Sequence, residues 1–229
     1  MPFETATITG VTEISPDCKQ YIVELEEGTF TGEAGQHTAL KTDNGVKPYS
    51  VLAVDETRVA LMLRAYGTDG VADYMNTRSV GDTVAVKPGL TGSLTLQRAD
   101  RPAVFVGTGT GITPLVGLLQ AYIAAGGPQA VFMFGEKTRD QLLYKSLLEQ
   151  YELVNPVETR FSLSREDWQG HTGYIQAQLP DVVGDFDRDP DFYVCGVPAA
   201  VVAAKDKLEE LGVPPSRVHT EGWEDAQVA

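Results

Sequence analysis

Val104-Phe105-Val106-Gly107-Thr108-Gly109-Thr110-Gly111-Ile112-Thr113-Pro114 is the most informative run in the chain. Its apolar start predicts a buried strand, the alternate glycines a tight turn, and Pro114 the opening of a helix to Ala125. That order outlines a phosphate site. Glycines let backbone N–H groups approach an anion closely, Thr108, Thr110 and Thr113 add hydroxyls, and a helix N-terminus carries partial positive charge. The spacing is G-x-G-x-G, not the G-x-G-x-x-G of the ordinary dinucleotide fingerprint. Taken alone, the run fits a nucleotide site and a plain strand-to-helix turn equally well.

The flanking sequence divides in texture on either side of this run. From Thr5 to about Gly89, short β-rich stretches predict strands at Thr5–Ile14, Gln20–Leu25, His37–Lys41, Tyr49–Val54, Val59–Tyr66 and Thr83–Val86. Gly70–Arg78 reads as one short helix. Strands so spaced predict a small antiparallel barrel. After Thr95, apolar strands at Ala103–Val106, Ala130–Phe134, Val157–Leu163, Phe192–Cys195 and Arg217–Thr220 alternate with helices to Ala125, over Arg139–Tyr151, near Ile175–Leu179 and over Ala199–Leu211. This is the pattern of a doubly wound parallel sheet, whose ligands bind at the carboxyl ends of the strands. The predicted fold is therefore an antiparallel β-barrel over residues 1–98 followed by a doubly wound α/β domain over residues 99–229.

Composition narrows the classes. With 42% hydrophobic and 22% charged residues, the chain reads as an ordinary soluble globular protein. It has neither an apolar run of membrane-spanning length nor a basic, apolar signal region, which predicts a cytoplasmic location. A formal charge of -14 disfavours nucleic acid and anionic membrane as partners. Cys18 and Cys195 are too few for a cysteine-held iron–sulfur cluster or a four-cysteine zinc site, and His37, His171 and His219 lack ligand spacing, so no metal is predicted.

Lys47-Pro48-Tyr49-Ser50 resembles the Arg-x-Tyr-Ser flavin motif of the ferredoxin–NADP reductase superfamily, with Gly35-Gln36 upstream where that family has Gly-Gln. The glycine run resembles the family's Gly-x-Gly-x-Gly-x-x-Pro turn, and Val194-Cys195-Gly196 its Cys-Gly motif. Phe134-Gly135, Leu142-Leu143-Tyr144, Ser164-Arg165-Glu166, Tyr174-Ile175-Gln176 and Glu221-Gly222-Trp223 follow in the same order as in the family.

The resemblance implies a flavin on the barrel and NAD(P)H on the sheet. Tyr49 would lie against the isoalloxazine, and the Ser50 hydroxyl would hydrogen-bond flavin N5, the hydride acceptor. The family arginine that holds the flavin diphosphate is Lys47 here, which keeps the charge but loses the planar fork, and Arg64 is expected to share that load. Gly70, Val71 and Ala72 would offer backbone donors to the diphosphate, the family's serine or threonine being absent. Tyr66 is suited to stacking on adenine, which favours FAD over FMN. Gly107 to Gly111, Thr113, Pro114 and Gly196 would form the nucleotide turn. Ser164, Arg165 and Tyr174 resemble the set that grips the 2′-phosphate of NADP, favouring NADP(H) over NAD(H), although the family lysine two residues before the tyrosine is Thr172. Cys195 would orient the nicotinamide, Glu221 would tune charge or supply a proton path, and Trp223 would cover the flavin face. The implied activity is a flavoprotein reductase passing electrons to a small carrier such as ferredoxin or flavodoxin. A reductase of free flavin or quinone, and a noncatalytic electron-transfer or nucleotide-sensing subunit, remain as alternatives.

Overall fold

The computed structural model describes residues 2–186 and 188–222. Strands β1 (Glu4–Ser15), β2 (Cys18–Leu25), β3 (His37–Thr42), β4 (Gly45–Val54), β5 (Arg58–Arg64) and β6 (Thr83–Val86) close into a barrel in the order β1-β2-β5-β4-β3-β6. Every pairing in it is antiparallel. Alternation supplies the filling: Ala6, Ile8, Tyr21, Val23 and Leu40 point inward, and the short helix α1 (Val71–Asn76) plugs one end with Val71 and Met75. The Tyr21 hydroxyl donates to the Met75 carbonyl at 2.8 Å, so the plug is fixed by a polar contact as well as by packing. Strand β5 is buried from Val59 to Arg64 because it has two apolar neighbours. Val59, Leu61 and Leu63 face the barrel, whereas Ala60 and Met62 face the second half of the chain.

That second half is a parallel sheet of β7 (Ala103–Thr108), β8 (Ala130–Glu136), β9 (Val157–Leu163), β10 (His171–Thr172), β11 (Asp191–Cys195) and β12 (Val218–His219), ordered β10-β9-β8-β7-β11-β12. Helices α2 (Ile112–Ala124) and α3 (Lys145–Val154) cover one face, and α4 (Leu179–Val183) and α5 (Pro198–Glu210) the other. The chain winds outward from β7 to β10 and then returns to β11 on the other side of β7. The strand order thus reverses between Thr108 and Cys195, which is where such sheets open a ligand crevice.

Three details differ from the sequence-based expectation. The predicted helix over Arg139–Tyr151 is only a 3-10 turn at Arg139–Gln141, and regular helix begins at Lys145. Between them Leu143 is fully buried and Tyr144 adopts φ 53°, its hydroxyl donating to Gln20 Oε1 of the barrel at 2.7 Å. Tertiary anchoring has overridden local helix preference there. The glycine-run helix starts at Ile112, so Pro114 sits in its first turn, where a missing N–H costs nothing. Strand β10 is two residues long and has no apolar pattern to announce it.

The two halves share a core. Cys18, Leu52, Ala60 and Met62 from the barrel pack with Phe105, Leu115, Leu118 and Phe132 from the sheet side. Helix α2 lies so close to β4 that a Cβ on Gly117 would fall 2.3 Å from the Leu52 carbonyl oxygen, so only glycine fits. Beside this contact, Arg64 of β5 donates to Glu136 Oε1 at the end of β8 at 3.1 Å, and its Nε lies 3.3 Å from Asp17 Oδ2. Burial raises the Glu136 carboxyl pKa, and the Arg64 guanidinium opposes that rise.

Removing one partner of a buried ion pair strands the other. Arg64→Met is expected to lower stability by about 3 kcal/mol at pH 7. A carboxyl whose folded pKa lies above its unfolded one favours the folded state when protonated. The deficit should therefore shrink as pH falls through the raised pKa of Glu136, and urea unfolding at pH 7 and pH 5 reads this directly. An equal deficit at both values would mean that the pair does not clamp the halves electrostatically.

Candidate active site

Between the barrel and the carboxyl ends of the sheet strands lies a cleft of about 800 Å³, within the range that small-molecule and cofactor sites occupy. The barrel contributes Pro48, Tyr49, Ser50, Met62, Arg64 and Tyr66. The sheet contributes the loops after β7, β8, β9 and β11: Thr108 to Gly111 with Thr113, Gly135 to Lys137, Ser164 and Arg165, and Cys195 to Ala200. Gly173 to Gln176 close the far end.

Two of these loops interlock. A Cβ on Gly111 would lie 2.4 Å from Cα and N of Gly196, and the Val197 N–H donates to Thr108 Oγ1 at 3.0 Å. The glycines let the β7 and β11 turns touch backbone to backbone, leaving their outer edges facing the cleft. Cys195, 8% exposed and paired in register with Gly107, ends β11 at this point. The Thr113 hydroxyl is buried there without a hydrogen-bond partner. A buried unpaired hydroxyl costs stability, and a ligand in the cleft would supply its partner.

On the barrel wall, Tyr49 is half-buried and Ser50 lies beside it. Burial, with the Asp73 charge and neighbouring Tyr66, pushes the Tyr49 phenol up to about 12, so the ring stays neutral. Tyr66 and Tyr174 are 67% and 70% exposed, offering open aromatic faces on opposite walls. These residues fit a flat ring system such as isoalloxazine, with a hydroxyl at its edge and aromatic surfaces for bases.

Some expected site residues lie elsewhere. Lys47 is exposed on β4 opposite Leu40 and does not line the cleft. Gly107 and Pro114 support the turn from behind, Gly107 against Leu115 and Phe134, and Pro114 buried in α2. Arg64 lines the cleft with its guanidinium paired to Asp17 and Glu136, while its buried Nη2 has no hydrogen-bond partner. The Glu221 carboxylate is 5% exposed, 3.8 Å from His37 Nδ1, and the Ser93 hydroxyl donates to the Glu221 carbonyl at 3.1 Å. This places Glu221 against β3, where His37 pairs with Ser50, rather than among the cleft-lining residues. Trp223 lies outside the described residues.

The N-terminus of α1 carries a further correction. The Asp73 carboxylate accepts N–H bonds from Tyr66, Gly67, Thr68 and Gly70 at 2.7–3.1 Å. Those bonds, the one from Gly67 foremost, hold its pKa down to about 2. The Gly70 N–H is therefore already used, and Val71, Ala72 and Asp73 begin the helix with N–H groups beyond intrahelical reach. Sequence reasoning missed Asp73, Glu136 and Lys137; Phe134-Gly135 was the marker next to the last two.

A fixed carboxylate beside a diphosphate is repulsive. Asp73→Ser is expected to tighten FAD by about tenfold relative to riboflavin, which has no phosphate, in a fluorescence-quenching titration. An unchanged FAD-to-riboflavin ratio would show that the carboxylate does not face the diphosphate.

Residues 105–206 match the family described as "Oxidoreductase NAD-binding domain". "Ferredoxin--NADP reductase B" of Sorangium cellulosum is 29% identical over 97% of this chain and 98% of its own length. The "Anthranilate 1,2-dioxygenase electron transfer component" of Acinetobacter baylyi is 26% identical over 75% of this chain, which spans about half of that protein (51%). Among solved structures, a ferredoxin NADP+ reductase from Neisseria gonorrhoeae with bound FAD and NADP superposes with a TM-score of 0.82 over 96% of this chain and 98% of its own, at 18% identity. The barrel, the parallel sheet and the ordered motifs agree with these similarities: over residues 105–206 the chain matches an oxidoreductase NAD-binding domain, and over nearly its whole length it is similar to a ferredoxin–NADP reductase.

Proposed function

We propose that the protein is a flavin-dependent reductase that draws hydride from NAD(P)H and delivers electrons to a small redox protein such as ferredoxin or flavodoxin. The observation that carries this is the single cleft joining Tyr49 and Ser50 on the barrel to the glycine turn and Cys195 on the sheet. A bound flavin would supply the chemistry, taking up a hydride at N5 and giving up its electrons one at a time.

The chain's own residues set the geometry. Tyr49 offers the flavin ring a neutral aromatic face, and Ser50 places a hydroxyl at the ring edge. The Thr108–Gly111 turn would receive the nucleotide diphosphate, because it lines the cleft and leads directly into α2. Cys195, at the switch point, is placed to orient the nicotinamide over that ring. Glu221, held at its carbonyl by the Ser93 hydroxyl and with its carboxylate 3.8 Å from His37, the strand partner of Ser50, would serve charge or proton balance. Tyr66 supports FAD over FMN, and Ser164, Arg165 and Tyr174 support NADPH over NADH. The Asp73 carboxylate favours a second reading, in which a loosely held flavin is itself the substrate to be reduced.

The purified protein is expected to be yellow, and NADPH added without oxygen should bleach its visible flavin band. A protein that takes up neither FAD nor FMN on reconstitution would end this reading. Ser50→Ala should slow single-turnover flavin reduction by roughly ten- to a thousandfold, as loss of about 1.4–4 kcal/mol of transition-state stabilisation requires. Unchanged reduction in a variant that still holds flavin would remove Ser50 from the mechanism.

A further inference from the structure

Glu221 reaches the barrel on a segment that the sheet holds only briefly. Strand β12 pairs with β11 at two residues, Phe192 with Val218 and Tyr193 with His219, and the chain then leaves the sheet. What receives it is the loop Thr91-Gly92-Ser93, which follows β6 and takes no part in lining the cleft. Leu90 and Leu94 flank this loop, the first buried in the barrel core and the second in the core shared by the two halves. Its position is therefore set by packing and not by the segment it receives.

Each of the three residues makes a different contact at the same spot. The His37 N–H donates to the Thr91 carbonyl at 2.7 Å and the Thr91 N–H to the His37 carbonyl at 2.9 Å, while the Thr91 hydroxyl lies 3.1 Å from His37 Nε2. Gly92 leaves room. At its φ of 125°, a Cβ would fall 2.9 Å from His37 Nδ1 and 3.1 Å from Glu221 Oε2. The Ser93 hydroxyl is shared between the carbonyls of Thr220 and Glu221, at 3.1 Å from each. Three consecutive residues thus hold both members of the His37–Glu221 pair, whose Nδ1 and Oε2 are 3.8 Å apart.

The same contacts choose a place for the ring proton. A Thr91 hydroxyl that donates to Nε2 puts that proton on Nδ1, facing the carboxylate, whereas the other tautomer turns a lone pair toward a negative charge. Among the described residues, Glu221 is the one charged group within ion-pair distance of His37. Burial pulls the His37 imidazole below its ordinary pKa, and a carboxylate held alongside opposes that pull.

We infer that Ser93 is a positioning residue, which ties down the backbone carrying Glu221 and so seats a carboxylate–imidazole pair one strand away from Ser50. The inference rests on the reading that Glu221 serves charge or proton balance at the flavin end of the cleft. Ser93 lies outside the cleft lining, so it acts through the pair.

His37 is one of three histidines, and its imidazole titration can be followed by NMR in the flavin-loaded protein, assigned by the signal lost in His37→Gln. Glu221→Gln sets the scale: loss of the charge should move the His37 titration down by about 1 pH unit. Ser93→Ala keeps the carboxylate but unties its backbone, and should move the titration down by about 0.5 pH unit while slowing single-turnover flavin reduction about three- to tenfold. Ser93→Thr, which keeps a hydroxyl, should restore both. A Ser93→Ala protein with a lower Tm but a wild-type His37 titration would make Ser93 a structural tether and overturn the inference, while Glu221→Gln still shifting the titration and slowing reduction would leave the reading of Glu221 standing. If Glu221→Gln slows reduction no more than wild type, that reading fails and takes the inference with it.

Discussion

The architecture depends on one close approach, the seating of α2 on β4 at Gly117 and the Leu52 carbonyl. Helix α2 starts in the glycine turn, and β4 carries Tyr49 and Ser50 three and two residues before Leu52. A single backbone contact therefore fixes the distance between the turn that would hold a nucleotide and the strand that would hold a ring. A side chain at position 117 would lift the helix and widen the cleft along its whole length. The apolar junction around Met62, Phe105 and Leu115 resists such movement, since separating the halves would expose closely packed surface to water.

Much of the fold was legible because burial imposes simple periods. Alternation in the first half specified barrel strands, and the continuous apolar runs Val104–Val106 and Val131–Phe134 specified a sheet covered on both faces. What was not legible depended on partners distant in sequence. Tyr144 leaves helical geometry to reach Gln20, more than a hundred positions away, and no local signal records that bond. Strand β10 exists because the end of β9 offers an edge, not because His171-Thr172 favours extension.

The site divides in the same way. Tyr49, Ser50, the glycine turn, Cys195, Ser164, Arg165 and Tyr174 were read from motifs and converge on one cleft. Arg64 was legible as a cation but not as one already shared by Asp17 and Glu136, because its partners come from β8 and from the turn before β2. Asp73 shows the converse. A carboxylate three residues after a glycine is a common helix start, yet here it gathers the N–H groups of the preceding loop and puts negative charge beside the barrel wall.

The burial of Cys18 in the junction core bears on how the protein can be probed. Desolvation outweighs the neighbouring Arg64 and pushes its thiol up to about 11, so near neutral pH it is almost entirely protonated and unreactive. Cys195 borders the cleft instead. With one sulfur silenced by packing, any alkylation of the folded chain would fall on Cys195, itself only 8% exposed, and a ligand lying over the β11 turn would shield it further. The molecule thus carries its own occupancy label, written into the contrast between two cysteines.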